Sequence, residues 1–233
     1  GPPEPELSPL TPRVAAARDA PAISACLGSA FYDDPLWGSW AFPDTRTRAA
    51  GLERLMGAWV RAGIPHGWVW MTPPSGASAT PAGGDGRAGA ESAGAGAPAA
   101  PARAAALWIP PGAVEMTAAE EADFEDLLVE LFGTRAGELA SMMEHFAAHH
   151  PHDDPHYYLS LWGTHRDHRR HGVGSALLQG CLERIDAEHM PAYLESTNPV
   201  NIERYERLGF RALERFGPKD GTVVTTMWRD PRD

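Results

Sequence analysis

The residues best placed to do chemistry lie between Leu159 and Leu178, in the stretch LSLWGTHRDHRRHGVGSALL. An apolar run from Tyr157 to Trp162 ends at Gly163, and a basic loop follows from His165 to His171. Gly172-Val173-Gly174 then opens into Ser175-Ala176-Leu177-Leu178, where a helical pattern begins. A strand, a glycine-containing basic loop and a helix N-terminus, in that order, make an anion site. The first-turn N–H groups of a helix have no intrahelical partner, and the helix dipole places partial positive charge there. Glycines let the backbone approach closely and adopt positive φ, and Arg166, Arg169 and Arg170 add formal charge. The expected guest is a phosphate or pyrophosphate. The spacing is not that of a G-x-x-x-x-G-K-[ST] loop, and Leu177 stands where a G-x-G-x-x-G fingerprint needs its third glycine.

Further along, Tyr193-Leu194-Glu195 reads as a strand, followed by Asn198 and by Tyr205-Glu206-Arg207-Leu208-Gly209-Phe210. Arg169 to Gly174 fits R/Q-x-x-G-x-G/A, and Asn198, Tyr205, Gly209 and Phe210 fit N-x6-Y-x3-G-F. The two motifs in this order and spacing resemble the GNAT N-acetyltransferases. Within that family the chain is most similar to the puromycin N-acetyltransferase group of antibiotic-resistance enzymes, through Ala30-Phe31 with Asp34-Pro35, the Leu194-Glu195-Ser196 strand end and Tyr205 to Phe210.

The resemblance implies acetyl-CoA as co-substrate and direct acetyl transfer to an amine. Backbone groups of Leu161, Trp162, Gly163 and Thr164 would pair with the pantetheine arm. Amides of Arg169, Arg170, His171, Gly172, Val173 and Gly174, with Ser175, would cradle the pyrophosphate, and Asn198 would contact the pantetheine arm. Tyr205 would lie near the thioester sulfur as the acid that protonates the thiolate. Arg170 departs from the pattern, since relatives often carry Gly there. Thr164 and Arg166 stand where Val and Pro are common. Glu195, at the end of its strand, is the first choice for the base and Asp34 the second. Trp37 and Trp40, beside Asp34, are expected to contact the acceptor, because aromatic rings stack on planar or cationic groups.

The elements that position these residues are read from periodicity and punctuation. Arg13 to Ala17 reads as a short strand and Asp19 as the N-cap of a helix carrying Ile23, Leu27, Ala30 and Phe31 on one face, ending by Asp34-Pro35. A second helix runs from about Thr45 to Ala62, with Leu52, Leu55, Met56, Trp59 and Val60 as its apolar stripe. Strands follow at 68–71 and 105–109, then helices at 117–132 and 135–149, a strand at 157–162, a helix at 175–189 and a strand at 192–195. A helix at 199–208 and strands at 210–216 and 222–228 complete the order. That order gives a mixed α/β (α+β) GNAT fold, a splayed central sheet flanked by helices. Residues 1–12 are Pro-rich and expected to be an extended tail. The segment at about 75–104 holds 12 Ala and 7 Gly and no large apolar residue. It cannot bury enough surface to offset its ordering entropy and reads as a disordered insertion in a single domain spanning 13–233.

Composition bounds the rest. The net charge of −11 disfavours a nucleic-acid partner. Between Glu115 and Asp154 there are 11 Asp/Glu against one Lys/Arg, read either as a solvated helical face or as a field for a cationic substrate. His145, His149, His150, His152 and His156 carry no further metal-ligand motif and read as helix-end and surface histidines, so no metal is expected. Cys26 and Cys181 give no disulfide framework. No apolar run approaches the roughly 20 residues of a membrane span, and the opening Gly-Pro-Pro-Glu-Pro-Glu lacks a signal pattern. The expectation is a cytoplasmic enzyme, monomeric or homodimeric, that acetylates a small cationic natural-product or antibiotic amine. A protein, peptide or polyamine acceptor, and a non-catalytic acyl-CoA sensor, stand as alternatives.

Overall fold

The computed structural model describes residues 11–76 and 100–233. Residues 77–99 of the expected insertion at about 75–104, and residues 1–10 of the expected tail at 1–12, lie outside the described residues. The elements follow the expected order: β1 (Arg13–Val14), α1 (Ala20–Ala30), α2 (Thr45–Gly63), β2 (Val69–Thr72), β3 (Ala104–Ile109), α3 (Ala118–Phe132), α4 (Ala136–His149), β4 (Tyr157–Thr164), α5 (Val173–Ala187), β5 (Ala192–Ser196), α6 (Ile202–Arg207), β6 (Arg211–Phe216) and β7 (Val224–Arg229). The strands form one seven-stranded sheet in the order β1-β2-β3-β4-β5-β7-β6. Every pairing is antiparallel except β4 with β5. This is the GNAT fold, a mixed sheet flanked by helices.

Helices cover both faces. On one side Leu27 of α1, Leu52, Leu55 and Met56 of α2, and Leu139 of α4 pack with Leu107 and Leu161 of the sheet. On the other, Leu177 and Leu178 of α5 and Tyr205 of α6 pack with Trp108, Leu159 and Trp162. The α2 stripe is buried as its spacing requires, with Trp59 only partly covered. Thr117 caps α3 in a capping box with Glu120, and Asp44 caps α2.

Several boundaries differ from the sequence reading, each for a local reason. Asp19 does not cap α1. Its carboxylate accepts from Ala16 N–H at 2.8 Å and from the Arg13 guanidinium at 2.7 and 2.9 Å, closing a 3-10 turn ahead of the helix. The stretch Pro35–Trp40, expected as open loop, winds into one π-helical turn because Asp34 accepts from the N–H groups of Leu36 and Trp37 at its start. Ala102, Arg103 and Ala104 are buried, and β3 begins at Ala104 rather than at residue 105. Gly163 and Thr164 belong to β4 rather than to the loop after it.

Candidate active site

The sheet opens between β4 and β5. Their parallel pairing runs only from Tyr157↔Ala192 to Leu159↔Leu194. Beyond Leu159 the two strands hold to their other neighbours. Leu161 to Thr164 pair with β3, and Glu195 and Ser196 pair with β7. Leu107 faces Leu161 while Trp108 faces Leu159, so Ser160 is the extra residue of a β-bulge. A bulge bends its strand and shifts the alternation of side chains. Here it turns the end of β4 away from β5 and leaves main-chain groups facing the gap.

The loop after β4 leads to α5. Gly172 sits at the N-cap with φ 75° and no side-chain cap bond, so the N–H groups of the first turn are left to the space in front of the helix. No heavy atom beyond its chain neighbours lies within 4 Å of where a Gly172 side chain would start. Gly174 has the opposite surroundings. A Cβ there would collide with Thr164 Oγ1, so glycine is what lets α5 close onto β4. Trp162 Nε1 donates to Gly174 O at 3.0 Å and locks that approach. Arg170 adopts φ 68°, the left-handed region that favours glycine, which accounts for glycine being common there in relatives.

The arginines divide their work. The Arg169 guanidinium donates to the terminal carbonyls of α1, Ser29 O at 3.4 Å and Ala30 O at 3.2 Å, and so ties the loop to that helix. Arg166 lies 5.6 Å over the Tyr32 ring. All three arginines are exposed, and Arg170 is the one without such a tether among the described residues.

A cavity of about 990 Å³ runs through the opening of the sheet. Leu161, Trp162, Glu195, Tyr205, Asp34 and Trp37 all line it. Tyr205 is held between Trp162, with ring centroids 5.7 Å apart, and Phe210 at 6.0 Å. Burial raises its hydroxyl pKa, Arg204 opposes the shift and Asp34 adds to it. The Glu195 carboxyl is pushed up to about 8, chiefly by burial, and further by Glu115. The hydroxyl of Tyr158 donates to Glu195 Oε1 at 2.6 Å and, with Tyr193 nearby, opposes that shift. Glu195 Oε2 is buried without a hydrogen-bond partner, as is the Tyr193 hydroxyl, because their approach misses bonding geometry. Asp34 is used differently. Its Oδ1 accepts from Leu36 and Trp37 N–H at 3.0 and 2.9 Å, and its Oδ2 accepts from Thr197 Oγ1 at 2.7 Å. Those three bonds join the π-helical turn to the end of β5, so Asp34 shapes the wall.

The other expected site residues fall outside the cavity wall. Trp40 holds the Arg135 guanidinium 5.4 Å over its ring, and its carbonyl oxygen accepts from the same arginine. Asn198 caps the short turn before α6, with Oδ1 accepting from Val200 N–H at 3.2 Å. The thiols are buried, and burial raises Cys26 to about 12 and Cys181 to about 11, so neither is a ready nucleophile.

Sequence reasoning missed Glu115, Tyr158, Ser160 and His150. Glu115, in the loop after β3, accepts a hydrogen bond from Ser160 Oγ, and burial raises its pKa. His150 and His156, expected on the surface, line the cavity. His156 Nδ1–H donates to Asp154 O at 2.7 Å, so its Nε2 accepts from His150 Nε2–H, also at 2.7 Å. Burial first, then the neighbouring histidines, lowers His150 to about 4, which keeps it neutral. The alternation Tyr158, Ser160 in β4 was the available signal, hidden inside an apolar run.

Known proteins share this arrangement. A model of the Acetyltransferase (GNAT) family matches residues 109–210, from the end of β3 through α6 and the Gly209-Phe210 turn. A structure from Corynebacterium glutamicum, described as histone acetyltransferase HPA2 and related acetyltransferase, is 25% identical with a TM-score of 0.62, covering 96% of this chain and 97% of that one. Mosquito arylalkylamine N-acetyltransferase like 5b is 15% identical with a TM-score of 0.54, covering 94% and 99%. The class that fold and site define is thus an acyltransferase acting from acyl-CoA. Residues 109–210 match the GNAT family, and with the GNAT fold around them the chain is an acetyl-CoA-dependent acyltransferase.

Proposed function

We propose that the chain acetylates a small cationic amine, of the natural-product or antibiotic kind, by direct transfer within the cavity between β4 and β5. The observation that carries this reading is the placement of Glu195. It is a buried carboxyl at about 8, with one oxygen unpartnered, on the wall of a cavity that also reaches Tyr205. A base poised near the working pH is what an ammonium substrate needs.

The residues fit acetyl-CoA at two places. The uncapped start of α5, with open space before Gly172, suits a pyrophosphate held by the amides of Arg169 to Gly174 and by Ser175. The free edge of β4 at Leu161 to Thr164 suits a pantetheine arm lying as an added strand. Asn198, beside that edge at the end of β5, would meet the same arm. The co-substrate supplies an acetyl thioester. Glu195 takes a proton from the ammonium, which frees the nitrogen lone pair to bond to the acetyl carbon, and the second proton that nitrogen loses on forming the amide replaces the one Tyr205 gives to sulfur. Backbone N–H groups of the open β4 edge stabilise the oxyanion. Tyr205 donates its proton to sulfur as the carbon–sulfur bond breaks, and the buried thiols take no part.

The walls argue for a small acceptor. Trp37, Trp59, Phe124 and Tyr158 enclose the side of the cavity away from α5, and aromatic faces suit a cation or methylenes. The test is thiol release from acetyl-CoA with puromycin-like nucleosides, streptothricin-like and aminoglycoside antibiotics, polyamines and basic peptides. Turnover concentrated in one class of small cationic amine supports the reading. Turnover only with peptides overturns it.

A further inference from the structure

We propose that Glu115 sets acceptor specificity by holding a second cationic group of the acceptor while the reacting amine sits at Glu195, so that the preferred acceptors carry two positive charges. The proposal rests on the reading of the cavity as the acceptor pocket and of Glu195 as its base.

Both carboxylates line the same cavity. They keep a little accessible surface because the cavity admits water, yet both lie deep among protein atoms. Each has one hydrogen bond, and in both cases the donor is a hydroxyl: Ser160 for Glu115 and Tyr158 for Glu195. Among the described residues, the ion pairs include neither of them. Glu115 raises the proton affinity of Glu195, burial raises that of both, and two such acids without an ion-pair partner are an unbalanced pair. Buried charges are stable when paired, so a cation from outside completes this site.

The placement of Glu115 is built in. Ser160 is the bulged residue of β4, and the bulge is what puts its hydroxyl on the Glu115 side. The same irregularity that opens the sheet for the acyl donor therefore orients the second acid. Glu195 Oε2 remains buried with no partner. Trp59 and Phe124, on the wall of the same cavity, offer apolar surface for methylenes. One ammonium at Glu195 and one at Glu115 would neutralise both.

The test compares α,ω-diamines with alkylamines of the same chain length, in the full chain and in Glu115→Gln, by thiol release from acetyl-CoA. In the unaltered protein the diamines are favoured in kcat/KM. In Glu115→Gln the KM for diamines rises by about 30-fold or more, as expected when one partner of a buried charge pair is lost. The monoamine KM stays within about two-fold, and the change in kcat that follows from removing the Glu115 charge beside Glu195 is the same for both amine types. Ser160→Ala, which removes only the hydroxyl, shifts diamine KM in the same direction by less. No diamine preference in the unaltered protein, or an equal loss for both amine types in Glu115→Gln, overturns the proposal. Failure of the base reading is distinguishable. If no amine turns over, calorimetry of diamine binding still reads the inference: weaker binding in Glu115→Gln supports it, and no binding to the unaltered protein refutes it.

Discussion

Glu195→Gln should make the protein more stable while making it inactive, and the gain should grow with pH. The Glu195 carboxyl has an ordinary value of 4.5 and stands at about 8 in the folded chain. Below pH 4.5 both folded and unfolded chains carry it protonated, so it contributes no pH dependence. Between those values the folded chain holds a proton that the unfolded chain has released, so stability falls as pH rises. Above about 8 the loss levels off. At about 1.4 kcal/mol per pKa unit, the ionised carboxyl destabilises the fold by up to about 5 kcal/mol. Glutamine keeps the shape and the acceptor oxygen for Tyr158, and its NH2 faces the unpartnered Tyr193 hydroxyl. The variant avoids ionisation altogether. Relative to the unaltered protein it should gain about 2 kcal/mol at pH 6 and about 4 to 5 kcal/mol at pH 9. Urea denaturation of the two proteins from pH 5 to 9, without ligand, measures this directly. A constant offset from the amide's own bonds would shift the curve without changing its slope. Parallel stability curves across that range would refute the argument, since Glu195 would then titrate alike in both states. In the same variant kcat/KM should fall by about 100-fold or more, the usual worth of a positioned base.

Two further outcomes follow from the other side of the sheet. Tyr205→Phe keeps the ring between Trp162 and Phe210 and removes only the proton donor, so kcat should fall about 100-fold with acetyl-CoA affinity unchanged; normal turnover would remove Tyr205 as the acid. Gly172→Ala places a side chain at φ 75° in open space, which costs about 1 to 2 kcal/mol of backbone strain. Gly174→Ala drives a methyl into Thr164 and costs about 1 to 3 kcal/mol. Thr164→Ala in the same chain should recover part of the second loss and none of the first, by urea denaturation and by calorimetry of acetyl-CoA binding.

The loop and helix start proposed for the donor were legible because they are local in sequence. Gly172 and Gly174 are two residues apart and answer two different demands, positive φ at one and close helix–strand contact at the other. The acceptor side was not readable in the same way. Glu115 and Ser160 are 45 residues apart and meet only because β3 and β4 pair with a bulge between Leu107 and Trp108. No periodicity announces a one-residue slip. The histidines misled for a related reason: His150 lies just past the end of α4, where a cation is favourable in any exposed helix, yet it packs on Tyr158 and Tyr193 with centroids 4.6 and 4.5 Å away. Asp34 beside Pro35 was visible as a boundary, but its three hydrogen bonds, to the π-helical turn and to Thr197, depend on a tertiary contact across 163 residues.

The opening between β4 and β5 also bears on the proposed base and acid, which come from different layers. Tyr205 belongs to the packing of α5 and α6 on one face of the sheet. Glu195 meets Tyr158, which packs with the helices of the other face, α1 to α4. In a continuous sheet these two groups would be separated by a closed ladder of main-chain bonds. Because β4 leaves β5 after Leu159, one cavity reaches both. In the proposed mechanism a thioester lying in that opening would present its carbonyl carbon to an amine from the α3 and α4 side and its sulfur toward Tyr205. Proton removal and proton delivery would then occur on opposite sides of the acyl carbon, the geometry that displacement of a thiolate by an amine requires. On that proposal the bulge at Ser160 would serve donor entry, acceptor recognition and the separation of acid from base together.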